Sequence, residues 1–339
     1  MKFGRSSYQF SHVYLTHGAT VVGSMEGQGS LGNYFDEVEI DPYFGQKSWE
    51  QAEIKMNERV VRKLLEKGQV QEAQVDLAIG GDLVNQLVPS NYAMRQFDIP
   101  FLGVYSACAS AVEAMILGSQ FVDSGAARQV LTFASSHTNG AEKQFRMPVE
   151  YGGPKGMTAQ YTAMGAGAGL LASTPAAIKV ESATIGTVID AMQNNPADMG
   201  SAMAPAAAET ICRHLKDLGR NANYYDLIVT GDLSDVGSPI LIDLLKREGY
   251  DVEKIHADCG KLLYKEHQPT FAGASGAGCV SIVTFSYIMD LLQKKEVNNV
   301  LVVGTGALLN SLIVTQKETI PCIAHAISLT VVHEGGTSS

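Results

Sequence analysis

No Cys-x-x-Cys pair occurs in these 339 residues, and the five cysteines, at positions 108, 212, 259, 279 and 322, are scattered and odd in number. That pattern speaks against a zinc site or a disulfide framework and points to a reducing compartment. A basic stripe is also missing: 25 Lys and Arg stand against 35 Asp and Glu, for a net charge of −10. Little is available to neutralise phosphates, so nucleic acid is not an expected partner, and direct adsorption to anionic lipid is disfavoured. No run approaches the ~18 apolar residues of a bilayer span. The N-terminus, with Gly4, His12 and His17 among polar residues, lacks the charged-then-apolar profile of a signal peptide. A role at a membrane would require other chains to hold this one there. Neither a metal nor a cofactor is expected.

What is present is ordinary for a globular α/β chain: 45% hydrophobic and 18% charged residues. The length exceeds a typical single domain, so two core-bearing units are expected. The most telling stretch is Phe101-Leu-Gly-Val-Tyr-Ser-Ala-Cys-Ala-Ser-Ala-Val-Glu-Ala-Met115. It reads as a buried strand over Phe101–Tyr105 and a helix over Ala109–Asp123 closed by Gly125. Cys108 then sits at a helix N-terminus, where free N–H groups and the helix dipole favour negative charge. Such a setting either activates a thiol or receives an anion.

In chain order, a short strand is predicted around His12–Leu15, followed by a long irregular segment rich in glycine and aromatics. Ser48-Trp-Glu-Gln51 fits a capping box opening a helix to about Lys67. Strands are predicted at Val75–Ile79, Val130–Ala134 and Ala163–Leu171, with a helix from Ser90 to Phe97. A turn is expected at Tyr151-Gly-Gly-Pro154. The glycines of the Ala163–Leu171 strand predict close approach of another backbone or a ligand. Asp226-Leu-Ile-Val-Thr-Gly-Asp-Leu233 then echoes Asp76-Leu-Ala-Ile-Gly-Gly-Asp-Leu83. A helix follows from Ser238 to Glu248. Gly273-Ala-Ser-Gly-Ala-Gly-Cys-Val280 opens another helix, through about Lys294, as Ser106–Ala109 opened the earlier one. Val300–Gly304 and Ile323–Leu329 match the remaining strands. Met199–Glu209 leads into a helix through Leu218 with Pro205 in its first turn. The tail from Glu334 to Ser339 is expected to fray. Self-similarity at this scale means two copies of one β/α unit with buried, largely parallel sheets. The halves divide near Pro175–Ile178, into 1–177 and 178–339.

Two tandem halves, each with a cysteine or glycine turn before a buried helix, resemble the thiolase superfamily. The resemblance implies a five-layer α/β/α/β/α sandwich with its nucleophile at the position of Cys108. Ser106-Ala-Cys-Ala-Ser110 resembles the corresponding turn of ketoacyl synthases. One branch is similar over nearly the whole chain, the stage V sporulation protein AD family of endospore-forming bacteria. The stretches that carry it are Ala134-Ser-Ser-His-Thr138, Glu142-Lys-Gln-Phe-Arg146 with Glu150-Tyr-Gly-Gly153, Asp198–Ala208, Thr230-Gly-Asp-Leu-Ser234 with Val236-Gly-Ser-Pro-Ile240, and Glu318–His325. That resemblance implies a non-enzymatic protein that binds dipicolinic acid, with or without calcium. It would be a peripheral subunit of the spore inner-membrane channel complex, partnered by the other stage V sporulation A subunits. Superfamily members commonly pair through central strands, so a homodimer is a further expectation.

The chemistry-bearing positions separate binding from turnover. A condensing enzyme adds His and Asn, or two His, to its cysteine to stabilise the oxyanion and drive condensation. In the synthase III-like pattern one group should lie in Thr230-Gly-Asp-Leu-Ser234, which offers Asp232 and no histidine. The other should lie in Gly273–Ala277, which has Ala274 or Ser275 where asparagine is expected. The expected ligand-binding set is therefore Cys108, His137, Arg146, Ser275, Gly276, His325 and Asp232, with no catalytic residue. Cys108 alternatively serves as a buried small hydrophobe, His137 and Arg146 as solvated loop residues, and His325 as a core histidine. Lys143 and Lys155 are weaker candidates. Asp82 is expected to cap its turn, and the role of Asp232 is open. The competing function is an acyl-thioester condensing enzyme or thioesterase using Cys108 as nucleophile; a third is a scaffold with a vestigial pocket.

Overall fold

A computed structural model describes residues 1–146 and 152–332. Tyr151 of the predicted glycine turn, Glu150 of the same stretch, and the tail Glu334–Ser339 lie outside the described residues.

Ten strands form one continuous path. They are β1 (Tyr14–Gly23), β2 (Leu77–Gly81), β3 (Phe101–Gly103), β4 (Gln129–Ser136), β5 (Gly165–Ala172), β6 (Ile178–Ile185), β7 (Leu227–Thr230), β8 (His256–Asp258), β9 (Asn299–Ala307) and β10 (Pro321–Val331). Their order is β8-β7-β9-β10-β6-β1-β5-β4-β2-β3. Adding five to each strand of the first half gives its counterpart in the second, so the order reads the same from either edge. The halves join through a short antiparallel ladder, Ile178 opposite Leu15 and Lys179 opposite Tyr14.

The sheet is mixed where a largely parallel one was expected. β2 runs parallel to β3 and β4, and β7 to β8 and β9. β5 and β10 return antiparallel to their neighbours on both sides. Each is reached by a connection that comes back on the same side of the molecule, without the full crossover that parallel pairing requires.

Five layers follow from where apolar faces are buried. Helix α1 (Trp49–Gly68) covers the outside of the first half with Met56, Val60, Val61 and Leu64 against Val21, Ala166 and Ala168. Helices α2 (Ser110–Asp123) and α3 (Ala277–Val283, continued through a π-helical turn to Gln293) lie between the two half-sheets. Helices α4 (Met199–Asp217) and α5 (Ser234–Arg247) cover the outside of the second half.

The glycine-rich strand β5 behaves as its composition predicts. A Cβ on Gly167 would lie 2.5 Å from the Ser281 backbone, so α3 packs directly on the strand. The same contact explains β1, which is ten residues long where His12–Leu15 was expected. Gly18 lowers its intrinsic strand preference, yet a Cβ there would meet the Phe285 carbonyl at 2.5 Å.

Three local readings need correction. Ser48 accepts from the Gln51 N–H at 3.3 Å, but the Gln51 side chain reaches back to the Lys47 N–H, not to Ser48. The helix expected from Ser90 spans Val88–Met94, because Ser90 is held inside it by Asp82. Pro205 lies well inside α4, whose start is fixed earlier by the Asp198 carboxylate accepting from Ser201 N–H at 3.2 Å.

Candidate functional site

Two equivalent turns meet at the centre of the molecule. The first precedes α2. Ala107 adopts φ +52°, a left-handed conformation unusual for a residue with a Cβ. Ser110 Oγ donates to Ala107 O at 2.7 Å and accepts from Ser106 N–H at 3.0 Å, which fixes the bend. β9 crosses behind it so closely that a Cβ on Gly306 would sit 2.3 Å from Ser106 O. The outcome is Cys108 at the turn's apex, buried and facing the opposite half. The second turn precedes α3. Gly273 and Gly276 take φ +125° and +109°, and Ala274–Ser275 pairs in parallel with Tyr161–Thr162. Ser275 Oγ comes to 3.9 Å from Cys108 Sγ.

Asp232, fully buried in the loop after β7, holds the second turn. Its Oδ2 accepts from Ser275 Oγ at 2.8 Å and Gly276 N–H at 3.0 Å, and its Oδ1 from Thr305 Oγ1 at 2.6 Å. Burial raises its pKa, and these donors offset part of that rise. The Cys108 thiol is pushed well above its ordinary value, first by burial and then by the nearby Asp232 charge. The helix N-terminus does not activate it. A thiol facing a buried carboxylate is held in its protonated form, the reverse of what a nucleophile needs.

A cavity of about 30 Å³ opens beside Cys108, lined by Tyr105, Ala107, Phe145, Thr162, Met199 and Ser275 among others. It contains no histidine or other cationic side chain among the described residues. Phe145 and Met199 are shared with a second cavity of about 140 Å³, which Arg146, Lys155, Gln160, Pro154 and Ala197 help to line. There Glu142, 1% exposed, pairs with both cations: Lys155 Nζ lies 2.5 Å from Oε1 and Arg146 Nη1 3.1 Å from Oε2. Two cations against one carboxylate leave this wall with a net positive charge. Lys155 also lies 4.7 Å over the Tyr161 ring, and burial lowers its pKa.

The structure thus gathers Cys108 with Ser275, places Gly276 and Asp232 directly behind Ser275, and sets Arg146 on the adjoining cavity. His137 and His325 line neither cavity. His137 is buried and caps the short helix Thr138–Glu142: Nδ1 accepts from Gly140 N–H, and Nε2–H donates to Pro42 O at 2.9 Å. Both ring nitrogens are therefore engaged in holding the loop, and burial lowers its pKa. His325 accepts from Gly186 N–H at 3.2 Å, with a pKa lowered by burial to about 4. Lys143 is turned to Glu50 at 3.0 Å and to the Trp49 ring. Asp82 accepts from Val84 N–H, Ser90 N–H and Ser90 Oγ, the capping role its position predicts.

Sequence reasoning passed over Tyr105, Phe145, Met199 and Gln160. Aromatic and thioether side chains beside a loop look like ordinary core, and nothing local to Gln160 signals its partners on two distant segments, Asp232–Ser234 and Ala274. No group of three His, Cys, Asp or Glu side chains able to hold a metal occurs among the described residues. Among them, too, no helix is long and apolar enough to cross a membrane.

Solved structures with a similar fold include 3-oxoacyl-[acyl-carrier-protein] synthase III from Aquifex aeolicus, at 13% identity and a TM-score of 0.56 over 94% of this chain and 99% of that one. OleA from Xanthomonas campestris with cerulenin bound gives 0.60 at 15% identity, over 94% and 97% of the two chains. These likenesses establish a thiolase-like fold. Stage V sporulation protein AD of Bacillus subtilis is 46% identical over 325 residues, 96% of each chain. The family profile described as Stage V sporulation protein AD matches residues 4–330. The chain belongs to the stage V sporulation protein AD family.

Proposed function

We propose that this sporulation protein binds dipicolinic acid, free or as its calcium chelate, without turning it over. It would act as a peripheral subunit of the spore inner-membrane channel complex that moves the compound during sporulation and germination, held there by the other stage V sporulation A subunits. The observation that carries the non-enzymatic reading is the pairing of Cys108 with Asp232 through Ser275. Where a condensing enzyme needs groups that stabilise developing negative charge, this site presents a carboxylate and a hydroxyl. That arrangement opposes thiolate formation and oxyanion stabilisation alike.

The binding reading draws on the adjoining cavities. Dipicolinate is a flat ring bearing two carboxylates. Arg146 can take a carboxylate bidentately, and Lys155 can add a point charge. Phe145 offers an aromatic edge between them and Cys108, and Ser275 Oγ lies at the inner end. His137 and His325 would then act through the loop and strand that they position. Titration calorimetry with dipicolinic acid and with its calcium chelate tests the reading. Saturable heat is expected from the folded protein, weakened at least tenfold in Arg146→Ala. No saturable heat with either species would sink it.

A second reading keeps a specific observation in its favour. The left-handed Ala107 presents Cys108 at a sharp turn, as a nucleophile would be, within a fold shared with condensing enzymes. Incubation with labelled acyl-coenzyme A would then leave label on the wild type and none on Cys108→Ser. Absence of label across chain lengths leaves binding as the account.

A further inference from the structure

Arg146 and Lys155 line the 140 Å³ cavity, whereas Glu142, 1% exposed, stands behind them. Each of its oxygens takes one cation: Lys155 Nζ lies 2.5 Å from Oε1 and Arg146 Nη1 3.1 Å from Oε2. The cations reach it from different places, Arg146 four positions on and Lys155 thirteen. Both keep donors to spare. Arg146 spends one N–H on Glu142 and another on Gly153 O. Lys155 spends one on Glu142 and one on Gln160 O at 3.4 Å. An ammonium carries three N–H groups and a guanidinium five. Each cation therefore has at least one left for a ligand among the described residues.

The carboxylate also decides whether Lys155 keeps its charge. Lys155 lies over the Tyr161 ring, where burial disfavours the charged form. Arg146 adds repulsion, and Glu142 is the group that opposes both. The other titratable groups nearby are engaged elsewhere. Behind Tyr161 stands the buried Glu26, held by Tyr264 and the Met164 N–H. Asp232 meets Gln160 through its backbone carbonyl and directs its carboxylate to Ser275, Gly276 and Thr305.

We propose that Glu142 is a positioning residue for the dicarboxylate: without touching the ligand, it holds Arg146 and Lys155 charged and side by side on the cavity wall. The inference rests on the dicarboxylate reading above. Two long side chains would otherwise have to be ordered by the ligand itself, at a cost in affinity. The sign of the effect separates positioning from simple charge. Removing a negative charge near an anion should by Coulomb's law alone tighten binding. Removing the group that gathers the cations should weaken it, because they then repel each other and Lys155 gives up its proton more readily.

The test is calorimetry of the full chain with pyridine-2,6-dicarboxylate from about pH 6 to pH 9, a range in which the ligand's carboxylates do not titrate. At pH 7 Glu142→Gln should bind at least tenfold more weakly than wild type. Its affinity should fall further as pH rises and Lys155 loses its proton, while wild-type affinity stays within about threefold. A merely structural role would lower affinity without that slope. Adding Lys155→Met to Glu142→Gln should flatten the profile. Glu142→Asp keeps the charge but is too short to hold both cations, so it should bind at least threefold more weakly. It carries the test if Glu142→Gln does not fold. Unchanged or tighter binding by a folded variant overturns the inference while the dicarboxylate reading stands. So does a weakened Glu142→Gln whose pH profile is as flat as that of wild type. If the wild type gives no saturable heat at any pH, the dicarboxylate reading itself fails and this inference falls with it.

Discussion

Asp82 and Asp232 end the same Gly-Asp-Leu turn in the two halves, yet they do opposite work. Asp82 bonds only within its own turn, to Val84 N–H at 2.8 Å and to Ser90 N–H and Oγ at 2.9 and 2.6 Å. Asp232 bonds only to distant segments, at Ser275, Gly276 and Thr305. The local task in the second half has passed to Asp258, which accepts from Leu233 N–H at 2.8 Å, Ser234 N–H at 2.9 Å and Thr230 Oγ1 at 2.6 Å. A duplicated motif preserves the backbone path and frees one copy of the side chain for another use. Here the freed carboxylate fixes the turn opposite Cys108.

The largest effect that would sharpen this contrast comes from Asp232→Ala. It strands the Ser275 and Thr305 hydroxyls and the Gly276 N–H in a dry interior, at an expected cost of about 3–5 kcal/mol. Chemical denaturation should show the loss, and dipicolinate binding by the remaining folded protein should be lost too. Asp82→Ala should be nearly as destabilising, about 2–4 kcal/mol, but its folded fraction should bind dipicolinate within about threefold of wild type. Equal binding defects in the two variants would break the comparison.

The two helix-start turns offer the next pair. Gly276→Ala places a Cβ at φ +109° and 2.6 Å from Ser136 Oγ, which is itself held by Ala163 O and Gly278 N–H. A loss of about 2–3 kcal/mol is expected. Ala107→Gly relieves a left-handed alanine and should gain up to about 1 kcal/mol. Melting temperatures that move in the same direction for both would contradict the geometry.

Asp258 gives the pH dependence its sign. Burial raises its pKa from 3.8 to about 6, so the folded state holds this proton more firmly than the unfolded chain. Its ionisation is therefore destabilising. The effect is absent below about pH 4, grows as pH rises to 6 and is complete above, with a ceiling of about 3 kcal/mol. Denaturation of Asp258→Asn across this window should show a shallower fall than wild type.

Much of this arrangement was legible in the residues. The echo of Asp76–Leu83 in Asp226–Leu233 foretold two like halves, and the Cys108 and Ser275 turns were placed before helices that do meet. Glycine at 167 marked the contact with α3. What escaped was long-range. Strand β1 runs on past Leu15 through Gly18, where α3 packs against it, a contact that no local pattern records. His137 looks like a loop ligand until Pro42, 95 positions away, claims its Nε2. Asp232 and Gln160 gain their meaning from partners more than 40 residues distant, which no local pattern records.

A small expected effect bears most directly on the central claim, that Cys108 marks a binding site and is not a nucleophile. Cys108→Ser removes the thiol with the least change in shape, and should change stability by about 1–2 kcal/mol. Titration of dipicolinic acid into wild type and Cys108→Ser side by side should give saturable heat from both, with affinities within about threefold. Absence of saturable heat from the folded wild type would contradict the account.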